Sequence, residues 1–466
     1  MDHLATLDAG FLQAEDSDPH ISLAIGGLSV LEGPMPKFDE LATALMDRMA
    51  KVPRLRHVLR THRLDMGPPE WEEKPDLDLS HHVRHVALPS PGDDAELYRL
   101  TADIMERRLD RAHPLWECWI IEGLAHDRWA LLVKLHHCIA DGIAAARMIA
   151  GLTDDGHTVD SFATELTDAR GAGLSFAPPR VSLNPLDWVR TFREISTTTT
   201  TMTAQVVKGA VSVLSGLLQP ADQTSLTGSV TTMRRYRAAR ACLSDMHKVC
   251  DVFGVTLNDV ALAAITHGYR EVLLNRGEKP TRSALRTLVP VSVRGNDAVD
   301  ITDNRVSLML PLLPVDRANP LDQLRIVHQR MTKLKGSGQR QAGSTAMGAI
   351  GALPFPLTAW TVRTLTRLPQ RGVVALATNV PGPRHRIQVL GRDVVRMYPI
   401  PPIALQLRTG IAMLSYDDDL TFGIVADYDS APDLDVLADG IEQGVARLVE
   451  LAERRHVRGG FTAKNA

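Results

Sequence analysis

The sequence predicts a mixed α/β protein of two comparable halves, and three observations carry that prediction. At 466 residues the chain exceeds what one hydrophobic core ordinarily serves. Strand-like apolar runs alternate with helical patterns twice along it, without a residue-level repeat. Between the two stretches, Thr153 to Pro185 turns rich in Gly, Asp, Thr, Ser and Pro, the composition of a linker. The division expected is an N-terminal domain over 1–152, a linker and crossover helix over 153–234, and a C-terminal domain over 235–466.

In chain order, Ile21 to Glu32 is apolar enough for a strand, and Phe38 to Met49 has helical spacing. Asp94 to Leu109 reads as a helix because Leu97, Leu100, Ile104 and Leu109 recur on one face among charges. Ile120-Ile121 belongs to a strand that ends at the turn Gly123 to Asp127, and Trp129 to Leu135 forms the next. Ile143 to Ala150 reads as a helix, and a longer one follows over Thr191 to Gln219. Thr256-Leu257-Asn258-Asp259 has the capping chemistry of a helix start ahead of Val260 to Ile265. Strand-like runs then fall at Leu285 to Val293, Arg305 to Leu313, Val373 to Thr378, Gly410 to Tyr416 and Leu420 to Ala426. A helix over Leu434 to Glu453 precedes a basic polar tail.

The composition, 44% hydrophobic and 23% charged, is globular rather than disordered. A net charge of −3 leaves no sequence-wide basic field, so no nucleic-acid partner is expected. Cys118, Cys138, Cys242 and Cys250 show no C-x-x-C pairing, which fits free thiols in a reduced, cytoplasmic setting. The N-terminus has neither a basic n-region nor an apolar h-region, so no signal peptide is read there. Gln341 to Val362 is uncharged, but Gly343, Gly348, Gly351, Pro354 and Pro356 interrupt it. A buried or membrane-grazing hairpin fits it better than a spanning helix.

The richest stretch is Lys134-Leu135-His136-His137-Cys138-Ile139-Ala140-Asp141-Gly142. It follows a strand pattern and precedes a helical one, which puts an imidazole at a strand end, where loops present chemistry on a rigid scaffold. An imidazole near neutral pH suits a general base that activates a hydroxyl. Asp141 can orient a ring, pair with an arginine or hold the turn, and Gly142 permits a tight backbone. No nucleophile motif such as G-x-S-x-G accompanies the pair, so direct transfer needs fewer parts than a covalent intermediate. A metal site is not expected: adjacent strand side chains point apart, and no third ligand is nearby. His81-His82, the same dipeptide without the Asp-Gly, reads as structural.

Along nearly its whole length the chain resembles the bacterial wax ester synthase/diacylglycerol acyltransferase family, most closely its triacylglycerol synthase branch. The motifs fall in order: Leu7-Asp8-Ala9-Gly10-Phe11-Leu12, then Pro114-Leu115-Trp116, then His136 to Gly142. Asn258-Asp259, Val289 to Arg294, Asn304 to Ser307 and Asn379-Val380-Pro381-Gly382-Pro383 complete the series. Pro19 to Leu23 departs from the family's usual pattern, a change expected to touch no catalytic group. The resemblance implies two chloramphenicol-acetyltransferase-like domains with the active-site channel at their interface. It further implies that His137 is the general base, with His136 supportive and Asp141 mainly structural. Gly142, Asn258, Asp259, Pro114, Leu115, Trp116 and Asn379 would bind substrate or shape the site.

The implied partners are acyl-CoA and diacylglycerol, with long-chain alcohols as further acceptors. Acyl-CoA is a substrate and no cofactor is implied. The expected setting is a lipid-droplet or inner membrane surface, held peripherally. Two other readings use the same residues: a condensation-type transferase with carrier-protein donors, and a non-catalytic lipid-binding protein.

Overall fold

A computed structural model describes residues 2–4, 6–61, 69–74, 81–140, 151–154, 222–292, 306–336, 373–404 and 406–463, with Ala145, Met148 and Ile149 besides. The first half contributes β1 (Asp2–His3), α1 (Thr6–Ser17), β2 (Ala24–Glu32), α2 (Phe38–Ala50), β3 (His57–Arg60) and β4 (Glu70–Glu73). It continues with β5 (Val83–Ala87), α3 (Asp94–Glu106), β6 (Trp116–Leu124) and β7 (Arg128–His136). The second half contributes β8 (Arg234–Cys242), α4 (Leu243–Phe253), α5 (Leu257–Asn275), β9 (Thr287–Ser292), β10 (Val306–Met309) and α6 (Pro320–Gly336). After these come β11 (Ala375–Val380), β12 (Gln388–Val389), β13 (Arg392–Ile400), β14 (Thr409–Tyr416), β15 (Asp419–Asp427) and α7 (Leu434–Ala463). The expected linker (but for its two ends), the helix over Thr191 to Gln219 and the stretch Gln341 to Val362 lie outside the described residues.

Two six-stranded mixed sheets result, ordered β12-β13-β2-β7-β6-β5 and β10-β9-β11-β14-β15-β8, beside a small sheet β1-β4-β3. One strand in this order crosses the boundary expected from sequence. Residues 388–400 lie within the stretch assigned to the C-terminal domain, yet β13 pairs antiparallel with β2, Ile400 opposite Gly26. The second half therefore completes the first half's sheet, and 235–466 is not self-contained.

Burial follows the two-residue period of β7. Trp129, Leu131, Val133 and Leu135 enter one core with α2 residues Leu41 and Leu45. Ala130 and Leu132 point the other way, into a core shared by α3, Tyr236 of β8, Tyr398 of β13 and Val425 of β15. That second core glues the halves together. A third cluster fills the second half, where Val260 to Ile265 of α5 are all but fully buried. Among the described residues no single helix is long and apolar enough to cross a membrane. The bent pair α4 and α5, at 104°, passes on length and composition, but its apolar face forms this core.

Candidate active site

The site is built at the carboxyl end of β7, a strand flanked by β2 and β6. From Trp129 to Ala140 every residue is buried except His137, which is partly exposed. Its backbone N–H donates to the Leu23 carbonyl at 3.0 Å, and the preceding His136 N–H donates to Leu115 at 3.0 Å. The chain turns at once, with the Ile139 N–H returning to the His136 carbonyl at 2.9 Å. The His137 ring lies against Phe11 of α1, centroids 4.2 Å apart and planes inclined by 35°. Phe11 also borders a small apolar cluster of Ala14, Ile21 and Leu23 with Val230 and Ala404. The ring therefore sits at the seam between the halves, where a general base could meet two reactants.

His136 is locked inside, at 1% exposure. Its Nδ1 accepts the Cys138 N–H at 3.1 Å, so the ring hydrogen belongs on Nε2. That atom faces Oε2 of Glu15 at 3.4 Å. Glu15 itself is 2% exposed, and accepts from Leu23 N–H at 3.0 Å and Arg111 Nη2 at 2.8 Å. Burial alone raises this carboxyl's pKa, but His136, Arg111 and the Leu23 amide outweigh it and hold it down at about 2. Leu23 thus touches the motif directly, through its backbone carbonyl to His137 and its backbone N–H to Glu15. The loop is further fastened by Arg108, whose guanidinium donates to the carbonyls of Glu15, Asp18 and Ile21, and by Arg234 to that of His20.

The Pro-Leu-Trp block supports the site from below. Leu115 and Trp116 are fully buried, and the Trp116 indole donates to the Leu55 carbonyl at 2.8 Å. His82 stacks on Trp116 at 4.4 Å and bonds its carbonyl, the structural place read for it. Pro114 is buried beside them. Asn258 and Asp259 stand on the first turn of α5. Asp259 closes a reciprocal cap with Thr256 and accepts from His328 Nδ1 at 2.8 Å. Asn379 is exposed near the end of β11. The turn after it is tight, since a Cβ on Gly382 would meet the Ser415 carbonyl oxygen at 2.0 Å. Asp141 and Gly142 lie outside the described residues. Among those described, no three His, Cys, Asp or Glu side chains gather where a metal ion could be held.

The groups missed in the sequence are Phe11, Glu15, Leu23 and Arg111. Asp8, Phe11 and Glu15 recur at i, i+3 and i+7, one face of α1, and that spacing was the available signal.

Comparison with known proteins decides the family. The model for the wax ester synthase/diacylglycerol acyltransferase catalytic domain matches residues 4–261, and that for the family's C-terminal domain matches 302–448. The chain belongs to the wax ester synthase/diacylglycerol acyltransferase family. A Mycobacterium tuberculosis relative, "Probable diacyglycerol O-acyltransferase tgs1", is 53% identical over 461 residues, 98% of each chain. A second protein from that organism, "Putative diacyglycerol O-acyltransferase Rv3371", is 44% identical, covering 97% of this chain and 92% of its own. Among solved structures, the wax ester synthase/diacylglycerol acyltransferase from Marinobacter aquaeolei VT8 matches with a TM-score of 0.67 at 25% identity, covering 97% of this chain and all of that one. The first condensation domain of the calcium-dependent antibiotic synthetase shares the fold at a TM-score of 0.62 and 15% identity, over 97% and 96% of the two chains. The two-domain fold of these structures thus coincides with the paired sheets.

Proposed function

We propose that this family member transfers a fatty acyl group from acyl-CoA to the free hydroxyl of diacylglycerol, forming triacylglycerol, with His137 as general base. The family description and the names of the mycobacterial relatives support the reaction. The observation that carries the residue assignment is the setting of His137, partly exposed at the end of a buried strand and beside the seam. The ring takes the hydroxyl proton as the oxygen attacks the thioester carbonyl. The tetrahedral intermediate then collapses, the C–S bond breaks, and the imidazolium returns the proton to the departing CoA thiolate. Ester and free CoA are the only products, and no acyl-enzyme forms. Burial pushes the Cys138 thiol far up from its usual range, which leaves it no thiolate character and supports direct transfer. Acyl-CoA enters as substrate, with no resident cofactor.

His137→Ala should lower CoA release from palmitoyl-CoA with diacylglycerol by about 10²–10⁴-fold while the melting transition stays in place. Turnover at the native rate would overturn the assignment. The family description names wax esters too, so hexadecanol belongs beside diacylglycerol in the same assay. Both acceptors reside in lipid, and the working location proposed is a lipid surface in the cytoplasm, met peripherally. Vesicle flotation tests this, and protein that stays in the dense fraction with diacylglycerol-bearing vesicles argues against it.

A further inference from the structure

We infer that Glu15 is a positioning residue for the reaction, fixing both histidines of the motif from α1. The inference rests on the acyl-transfer reading above. Its basis is the placement of one buried carboxylate at the junction of two chains of contact. Oε2 faces Nε2 of His136 at 3.4 Å, the nitrogen that must carry hydrogen because Nδ1 is occupied by the Cys138 amide. Oε1 accepts the Leu23 N–H, and the carbonyl of that same Leu23 accepts the His137 N–H. In the first chain the Cys138 amide fixes the tautomer of His136, and the carboxylate, 3.4 Å from Nε2 and longer than a good hydrogen bond, holds the plane of the ring electrostatically. The second sets the register of the backbone that carries His137.

Arg111 keeps the carboxylate ionised and is itself shared with Asp16 at 2.7 Å. A neutral acid in this place would offer its proton to His136 and compete for the hydrogen already there. The carboxylate does not touch substrate in this scheme. It acts through its neighbours, as outer partners of functional histidines do elsewhere, where their loss costs about 10–100-fold. If Glu15 only fastened α1 to the loop, its removal would lower stability and leave turnover per folded molecule unchanged.

The test uses the full-length enzyme with palmitoyl-CoA and diacylglycerol, and compares Glu15→Gln, His136→Gln and the double variant, with His137→Ala as reference. Glu15→Gln should lose about 10–100-fold in kcat with KM for both substrates nearly unchanged, and the double variant should lose less than the product of the singles. Native kcat in folded Glu15→Gln, or losses that multiply in full, would overturn the inference. An inactive His137→Ala in the same series would still leave the base assignment standing. Should Glu15→Gln not fold, histidine-labelled native enzyme answers instead. Nitrogen and carbon shifts of His136 should report the Nε2–H tautomer, and an Nδ1–H ring refutes the inference.

Discussion

Lys134 shows how much charge the fold buries to place the histidines. It stands on β7 two residues before His136, on the same face, at 1% exposure. Its Nζ donates to the carbonyls of Ile104 and Arg107, where α3 ends, so an ammonium meets the negative end of the helix dipole. Burial nevertheless dominates and lowers its pKa from 10.5 to about 8, with Glu117 and Glu15 opposing weakly. The folded protein therefore sheds this proton before the unfolded chain does. Below about pH 8 both states are charged and the burial penalty is complete; between about 8 and 10.5 the unfolded state binds more protons, so stability rises with pH. The gap corresponds to about 3 kcal/mol. Urea unfolding of native protein and Lys134→Met from pH 7.5 to 10.5 should show the native protein gaining on the variant across that window. A pH-independent difference would mean that the amine is not held as described. Of the buried charges, Lys134 could not be picked out in the sequence, and Glu15 only through its α1 spacing with Asp8 and Phe11, since nothing else local distinguishes it from its exposed-side neighbour Asp16. The His136-His137 pair was legible, since its strand, turn and glycine are written consecutively.

The elements divide in the same way. The pair Asn258-Asp259 becomes a helix start, with the Thr256 hydroxyl and the Asp259 carboxylate each bonding the other's backbone N–H. Thr256→Ala should cost about 1 kcal/mol in stability, as cap removals do, while CoA release per folded enzyme stays at the native rate. A selective loss of turnover would instead tie this cap to the chemistry. That helix was readable because its cap and apolar run adjoin, as were β2, β7, β14 and β15 from long apolar runs. Strand β8 was not readable. It carries Arg234, Arg235, Arg237 and Arg240, which an edge strand accepts because its outward side chains reach partners such as Asp435 and Asp419. Helix α1 escaped notice because it buries Asp8 and Glu15, polar residues that erase an apolar stripe. Strand β13 was hidden for another reason: its partner β2 lies more than 350 residues earlier, and no local pattern records which sheet a strand will join.

At the scale of the molecule the two halves repeat one topology. Strands β2, β7, β6 and β5 run antiparallel, antiparallel, then parallel, and β8, β15, β14 and β11 do the same. In this correspondence His136, opposite Ala24, matches Asp427, opposite Arg234. The second half fills that position with a carboxylate accepting from Thr231 and Ser430, so its strand end is closed by hydrogen bonds. Only the first half keeps an imidazole there, and the second serves as its wall. The wall stands very close. Tyr236 donates its hydroxyl to the Pro399 carbonyl at 3.1 Å, and Thr421 donates to that of Met397 at 2.9 Å. Between them Gly423 of β15 faces β13 with no side chain at all, and a Cβ added there would lie 1.7 Å from the Pro399 oxygen. Backbone meets backbone, so no rotamer change can relieve the overlap, and the sheets must part. Gly423→Ala should therefore cost about 1–3 kcal/mol or more in urea unfolding. It should also depress turnover in the folded fraction, because His137 sits where the two sheets' loops converge. Native stability in Gly423→Ala would show that the sheets can separate freely, and turnover held at the native rate despite lost stability would show that the site does not depend on their spacing.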